Sequence, residues 1–158
     1  MEADILGAKM KIGVIGCGNM AGAVVRGIHS HEKNVFFKTY TPSKIKALEL
    51  AQDVSGECVD NLADLVDCDF LMVWCKPQQF TDLCEELKQF DLNEKIIISI
   101  MAALPIERVK KGLKVDKVIR LMPSMPMLYG EGISLLFASD EVSEFQYKQF
   151  SELLNGSS

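Results

Sequence analysis

Short apolar runs alternate along the chain with longer stretches in which apolar residues recur three or four positions apart. The runs predict strands at Lys11 to Ile15, Val35 to Tyr40, Phe70 to Cys75, Ile96 to Ile100, Val118 to Leu121 and Ile133 to Phe137, with a weaker one at Glu57 to Val59. Phe70 to Cys75 reads FLMVWC and is apolar throughout, as expected of a strand covered on both faces. Helices are expected at Asn19 to Ser30, Pro42 to Gln52, Leu62 to Val66, Phe80 to Phe90, Pro105 to Gly112 and Val142 to Leu154. Pro42 after Thr41 is a start signal, Leu83 and Leu87 lie four apart on one face, and Gly112 is placed to close its helix. Strands and helices alternating at this spacing form βαβ units. The predicted class is therefore α/β, a doubly wound, mostly parallel sheet with helices on both faces. No repeat or linker interrupts it, so residues 1–155 are expected to form one Rossmann-type domain and 156–158 a short tail.

Composition narrows the possible partners. The chain has 158 residues, enough to bury a sizeable core, and carries 22 acids against 17 bases. A net charge of -5 gains nothing from displacing phosphate counterions, so nucleic acid is not an expected partner. Lys110, Lys111, Lys114 and Lys117 have Glu107 and Asp116 among them and read as a solvated helix end. Cys17, Cys58, Cys68, Cys75 and Cys84 show neither paired nor metal-ligand spacing, which suits free thiols in a reducing compartment and excludes an expected metal. Glu2 and Asp4 at the start argue against a signal peptide or anchor, and no apolar run reaches membrane-spanning length. The expected location is the cytoplasm, away from membranes.

One segment carries recognisable chemistry. Gly16-Cys17-Gly18-Asn19-Met20-Ala21-Gly22 follows the first strand and opens the first helix. Gly16 allows a tight turn, Gly18 lets backbone approach a pyrophosphate, and a small Ala21 lets helix and strand pack closely. The helix N-terminus then offers N–H donors and the positive end of its dipole to the anion. The second strand bears on the choice of cofactor. An NAD-binding domain usually ends this strand with an acid that accepts from the ribose 2′-hydroxyl. Here it ends Lys38-Thr39-Tyr40-Thr41-Pro42-Ser43-Lys44, whose hydroxyls and lysines suit a 2′-phosphate. Thr41 can equally cap its helix, and the two roles are compatible. NADP(H) is therefore the expected cofactor, with NAD(H) possible. Cys17 stands where a helix dipole can lower a thiol pKa, but reads more simply as a small residue beside the cofactor. Met20, Met101, Met122, Met125 and Met127 read as core fillers or an adaptable pocket lining, and His29 and His31 as surface residues.

With these motifs placed, the chain resembles the N-terminal domain of the pyrroline-5-carboxylate reductase family, within the 6-phosphogluconate-dehydrogenase-like group. Ile12 to Ala21 matches the family's I-G-F-I-G-x-G-N-M-A opening, and Cys75-Lys76-Pro77-Gln78 its V-K-P-Q. Ser99 to Ala103 resembles S-x-A-A-G, Val118 to Pro123 resembles V-I-R-x-M-P, and Gly130-Glu131-Gly132 the following x-E-G. The resemblance implies reduction of the imine of 1-pyrroline-5-carboxylate to proline with NAD(P)H. It implies that Gly16, Cys17, Gly18, Asn19 and Met20 border the pyrophosphate and nicotinamide. It places Thr41 and Ser43 at the 2′-phosphate, Asn61 at the adenosine, and the backbone of Cys75, Lys76, Pro77 and Ala102 near the ribose.

Three departures separate the chain from the family pattern. M-P-N-T-P is Met122-Pro123-Ser124-Met125-Pro126 here, and the glycine of S-x-A-A-G is Ala103. The family's helical C-terminal domain, which forms the homodimer and holds the imine, is expected to be missing, so no catalytic residue is assigned. Two other functions remain open beside the reductase: an F420-dependent NADP reductase-like oxidoreductase, and a dinucleotide-binding regulatory module without catalysis.

Overall fold

The computed structural model describes residues 10–101, 104–122 and 135–155. Its strands are β1 (Met10–Ile15), β2 (Val35–Tyr40), β3 (Glu57–Cys58), β4 (Phe70–Val73), β5 (Ile96–Ser99), β6 (Val118–Met122) and β7 (Leu135–Ala138). They form one sheet in the order β3-β2-β1-β4-β5-β6-β7. All neighbours pair in parallel except β6 and β7, which are antiparallel with Leu121 opposite Leu136. The fully apolar runs occupy the middle: every residue of β4 and β5 is buried. Next to the edge, β2 alternates, burying Val35, Phe37 and Thr39 while Phe36, Lys38 and Tyr40 stay partly exposed.

The helices are α1 (Asn19–His31), α2 (Ile45–Asp53), α3 (Pro77–Leu87), α4 (Ile106–Leu113) and α5 (Glu144–Asn155), with a 3-10 turn at Leu62–Leu65. They divide between the two faces. On one, Val24, Val25 and Ile28 of α1, Ala47 and Leu50 of α2 and Phe150 of α5 pack on Ile12, Val14, Ile98 and Ile119. Phe150 and Phe70 meet there with ring centroids 5.6 Å apart. On the other, Phe80, Leu83 and Leu87 of α3 and Val109 and Leu113 of α4 cover Leu71, Val73, Ile97 and Val118. Each face buries its own apolar layer, which is what makes the sheet doubly wound.

Helix boundaries differ from expectation at several places, α3 ending at Leu87 and α5 starting at Glu144 among them, and three of the differences have a visible cause. Helix α2 begins at Ile45, not Pro42, because Pro42 and Ser43 form a turn closed by the Lys44 N–H on Thr41, with N···O of 3.1 Å to both its carbonyl and Oγ1. Lys44 takes φ 69 there, outside the helical region, so the helix can start only beyond it. Helix α3 starts at Pro77, three residues before the expected Phe80. Proline needs no N–H partner in a first turn, and Gln79 Oε1 accepts from the Lys76 N–H at 3.1 Å. Helix α4 is not closed by Gly112. It runs to Leu113 and is capped by Lys114 at φ 57, while Gly112 lies inside it, where an added Cβ would come 2.8 Å from the Phe80 ring and 2.9 Å from Cys84 Sγ. Close helix packing, not termination, accounts for that glycine. Of the lysines near this helix end, Lys110 pairs with Glu141 at 2.9 Å.

Candidate functional site

Chain order reverses at the centre of the sheet. From β1 it runs outward through β2 and β3, then returns to β4 on the other side of β1 and continues the opposite way. Ile15, Val73 and Ser99 stand level at the C-terminal ends of β1, β4 and β5. The crevice between β1 and β4 is the switch point at which open α/β sheets bind ligands.

The glycine-rich segment lies across this point. The Gly16 N–H donates to Tyr40 O at 3.0 Å, and the Trp74 N–H to Ile15 O at 2.8 Å, so the ends of β2, β1 and β4 are tied together. Gly16 has φ +87, and a Cβ on it would stand 1.8 Å from Trp74 O. Both the backbone conformation and the space exclude a side chain. Gly18 is different. It is the exposed N-cap of α1 with ordinary extended φ, and a Cβ there would meet no protein atom within 4 Å. No fold requirement for glycine is visible at Gly18, as expected if the space above it belongs to a ligand. No side chain caps α1, and its first turn holds no acid. The first helical bond runs from the Gly22 N–H to Gly18 O, so the amides of Asn19, Met20 and Ala21 precede the ladder. Ala21 is fully buried against the sheet, as its small size predicts.

Cys17 is not a reactive thiol. Burial pushes it up to about 12, against a weaker opposing effect of the Tyr40 carbonyl 4.0 Å away. The helix dipole that could lower its pKa is outweighed by desolvation. Burial likewise holds Cys75 at about 11, with its Sγ 3.5 Å from Met101 Sδ.

Two cavities meet at Tyr40, the end of β2, and the first of them borders the turn. One of about 400 Å³ is walled by Gly16, Tyr40, Pro42, Trp74, Cys75 and Gln79, with Asp82 and Glu86 of α3 on its far side. The other, about 450 Å³, is lined by Asp60, Asn61, Leu62 and Asp64 and shares Tyr40 and Glu86 with the first. A larger cavity, about 530 Å³, opens between Met10, Phe70, Ile96 and α5. It lies at the N-terminal ends of the strands, remote from the α1 amides, and size alone does not make it the site.

The fold thus brings Gly16, Cys75 and Asn61 to adjoining cavities, with Gly18, Asn19 and Met20 at the head of α1. Thr41 is buried and Ser43 exposed in the turn after β2. Lys76 and Pro77 begin α3, and the Lys76 N–H and carbonyl are already engaged by Gln79 and by Gln79 and Phe80 respectively. Ala102 lies outside the described residues, as do Ser124 and Met125. Tyr40, Trp74, Gln79, Asp82 and Glu86 were not singled out by sequence. Trp74 and Tyr40 were legible only as strand residues, and the acids of α3 had no motif.

A salt-bridge cluster holds the far wall. Lys38 Nζ lies 3.0 and 3.1 Å from the two Asp67 carboxylate oxygens and donates to Asp64 O at 3.2 Å, while Lys11 Nζ reaches Asp67 at 2.9 Å. The hydrogen bonds from Lys11 and Lys38 hold the Asp67 carboxyl down at about 2. They pin the segment around the 3-10 turn, with Asn61 at its head, against β1 and β2.

A doubly wound sheet with an open glycine turn at its switch point defines a Rossmann-type domain. The family model for NADP oxidoreductase, coenzyme F420-dependent, matches residues 11–103, more than half of the chain. The chain belongs to that family of NAD(P)-dependent oxidoreductases. Pyrroline-5-carboxylate reductase of Vibrio alginolyticus is 33% identical over 147 residues, covering 91% of this chain and 54% of that protein. The crystal structure of 1-pyrroline-5-carboxylate reductase from Streptococcus pyogenes superposes with TM-score 0.78 at 26% identity, covering 93% of this chain and 55% of that one. The Plasmodium falciparum pyrroline carboxylate reductase structure, with NADP bound, shares the fold at TM-score 0.73 and 22% identity, covering 94% and 55%. The chain spans about half the length of the curated relatives it matches. No described helix is long and apolar enough to cross a membrane.

Proposed function

We propose that residues 1–155 form a domain that binds a nicotinamide dinucleotide, NADP(H) in preference to NAD(H), as the cofactor half of a pyrroline-5-carboxylate reductase-type oxidoreductase. The observation that carries this reading is Gly18: an exposed glycine at an uncapped helix start, with nothing within 4 Å of its missing Cβ. Pyrophosphate oxygens accept from the amides that precede the α1 ladder, and the helix dipole favours their charge. The dinucleotide then lies along the 400 Å³ cavity, with the Cys75 backbone at the ribose and Thr41, Ser43 and Asn61 at the adenosine end. When bound, the nicotinamide supplies the hydride, and this chain holds and orients it. The small-molecule imine and a homodimer contact are assigned to a further domain, like that making up the rest of the relatives' length. The five thiols are free, which suits the cytoplasm.

The description of the matched family favours a second reading, hydride exchange between NADP(H) and coenzyme F420. Both readings need the same cofactor site. Trp74, the single tryptophan of the chain, borders the cavity and supplies the assay. Titration with NADPH and NADH should quench Trp74 fluorescence saturably, NADPH at the lower concentration. A folded protein that responds to neither refutes the assignment.

A further inference from the structure

No acid ends β2 in the sequence, yet the fold delivers one there. The Val59 N–H donates to Thr39 O at 2.9 Å, so the segment after β3 runs beside β2 and sets Asp60 next to its C-terminal end. Asp60 Oδ1 lies 2.5 Å from Lys44 Nζ, in the turn that follows β2. Asp60 and Asn61 line the same cavity as Tyr40. A cation and an anion therefore stand together off the end of β2, where the adenosine ribose lies in a doubly wound dinucleotide site.

We propose that the Lys44–Asp60 pair decides cofactor choice: Lys44 takes the 2′-phosphate of NADP(H), Asp60 accepts from the 2′-hydroxyl of NAD(H), and the pair opens in either case. The inference rests on the dinucleotide reading above. Its physical basis is the exposure of the pair. With side chains 57% and 67% accessible, Lys44 and Asp60 hold each other weakly, and either can be surrendered to a ligand. A phosphate monoester carries more negative charge than one carboxylate and wins Lys44. Asp60 then remains close by as a like charge, which limits how tightly NADP(H) is held. Against NAD(H) the same carboxylate does the work usually given to an acid at the end of the second strand. A chain with both groups accepts both cofactors, with a modest preference set by their balance.

The test is titration of the whole chain with NADPH and with NADH, for wild type, Lys44→Gln, Asp60→Asn and the double variant. Circular dichroism checks the fold of each. Lys44→Gln should weaken NADPH about tenfold by removing a charge-assisted contact and leave NADH nearly unchanged. Asp60→Asn should tighten NADPH and weaken NADH, each by about threefold, the scale of an exposed charge interaction. With the two effects combined, the double variant should bind both cofactors about threefold more weakly than wild type and keep the wild-type ratio. If the wild type binds NADPH but neither single variant changes the ratio of the two affinities, the pair is a surface contact and the inference falls alone. If the wild type binds neither dinucleotide, the cofactor reading falls and takes this one with it.

Discussion

Replacing Gly18 with valine separates the fold from the ligand. Inside the protein the substitution meets little resistance. The position has φ -74 and ψ -173, an extended conformation that valine adopts readily, and no protein atom lies within 4 Å of the new Cβ. The cost to folding is the exchange of glycine for a poor N-cap residue, about 1 kcal/mol, or a Tm roughly 2–4 °C lower for a chain of this size. The effect on a bound pyrophosphate is larger. Its oxygens must come within about 3 Å of the backbone nitrogens to hydrogen-bond, whereas a methyl group holds neighbouring atoms about 4 Å away. Displacing the phosphate by that difference breaks two charge-assisted bonds, each worth about 1.5–3 kcal/mol. The expected loss is therefore at least about 3 kcal/mol, or roughly a hundredfold in Kd. Titration followed by Trp74 fluorescence measures the affinity, and thermal melting of the unliganded protein measures the fold. A Gly18→Val protein that binds NADPH within about threefold of wild type would refute a pyrophosphate at this turn.

Gly16→Ala should act in the opposite way, on stability. An alanine at φ +87 costs about 1–2 kcal/mol in backbone strain, and a Cβ 1.8 Å from Trp74 O forces the ends of β1 and β4 apart. A total near 3 kcal/mol lowers Tm by roughly 6–12 °C, and a loss under about 1 kcal/mol in a thermal melt would refute the geometry. Asp67 makes a prediction in pH. Its carboxyl is depressed from 3.8 to about 2 in the fold, so its contribution to stability is complete above the unfolded value and is lost as pH falls through the folded one. Urea midpoints of the wild type should fall between these two values more steeply than those of Asp67→Asn, and parallel slopes would show that Lys11 and Lys38 do not hold the charge.

Much of the architecture is written in local pattern. FLMV at 70–73 and IIIS at 96–99 read as strands buried on both faces, and both are. Glycines at 16 and 18 between a strand and a helix locate the turn, although only Gly16, at φ +87 and against Trp74 O, is demanded by the fold itself. Helix limits were less legible. Pro42 carries a valid start signal, but Thr41 supplied a competing turn that left Lys44 at φ 69 and delayed the helix. Gly112 reads as a terminator until Phe80 and Cys84 are seen against it. The first was a contest between local bonds, the second a contact between helices distant in sequence.

The candidate site divides along the same line. The order of strands and helices and the position of the glycine turn are legible locally, since periodicity and glycine chemistry act over a few residues. The assembled fold, by contrast, buries Cys17 so that its thiol is pushed well above the ordinary value, and brings Asp82 and Glu86 to the cleft beside Gly16. It also set Asp60 against Lys44, supplying the carboxylate that β2 lacks. Such juxtapositions depend on which strands become neighbours and in what register, and no short window of sequence contains that information.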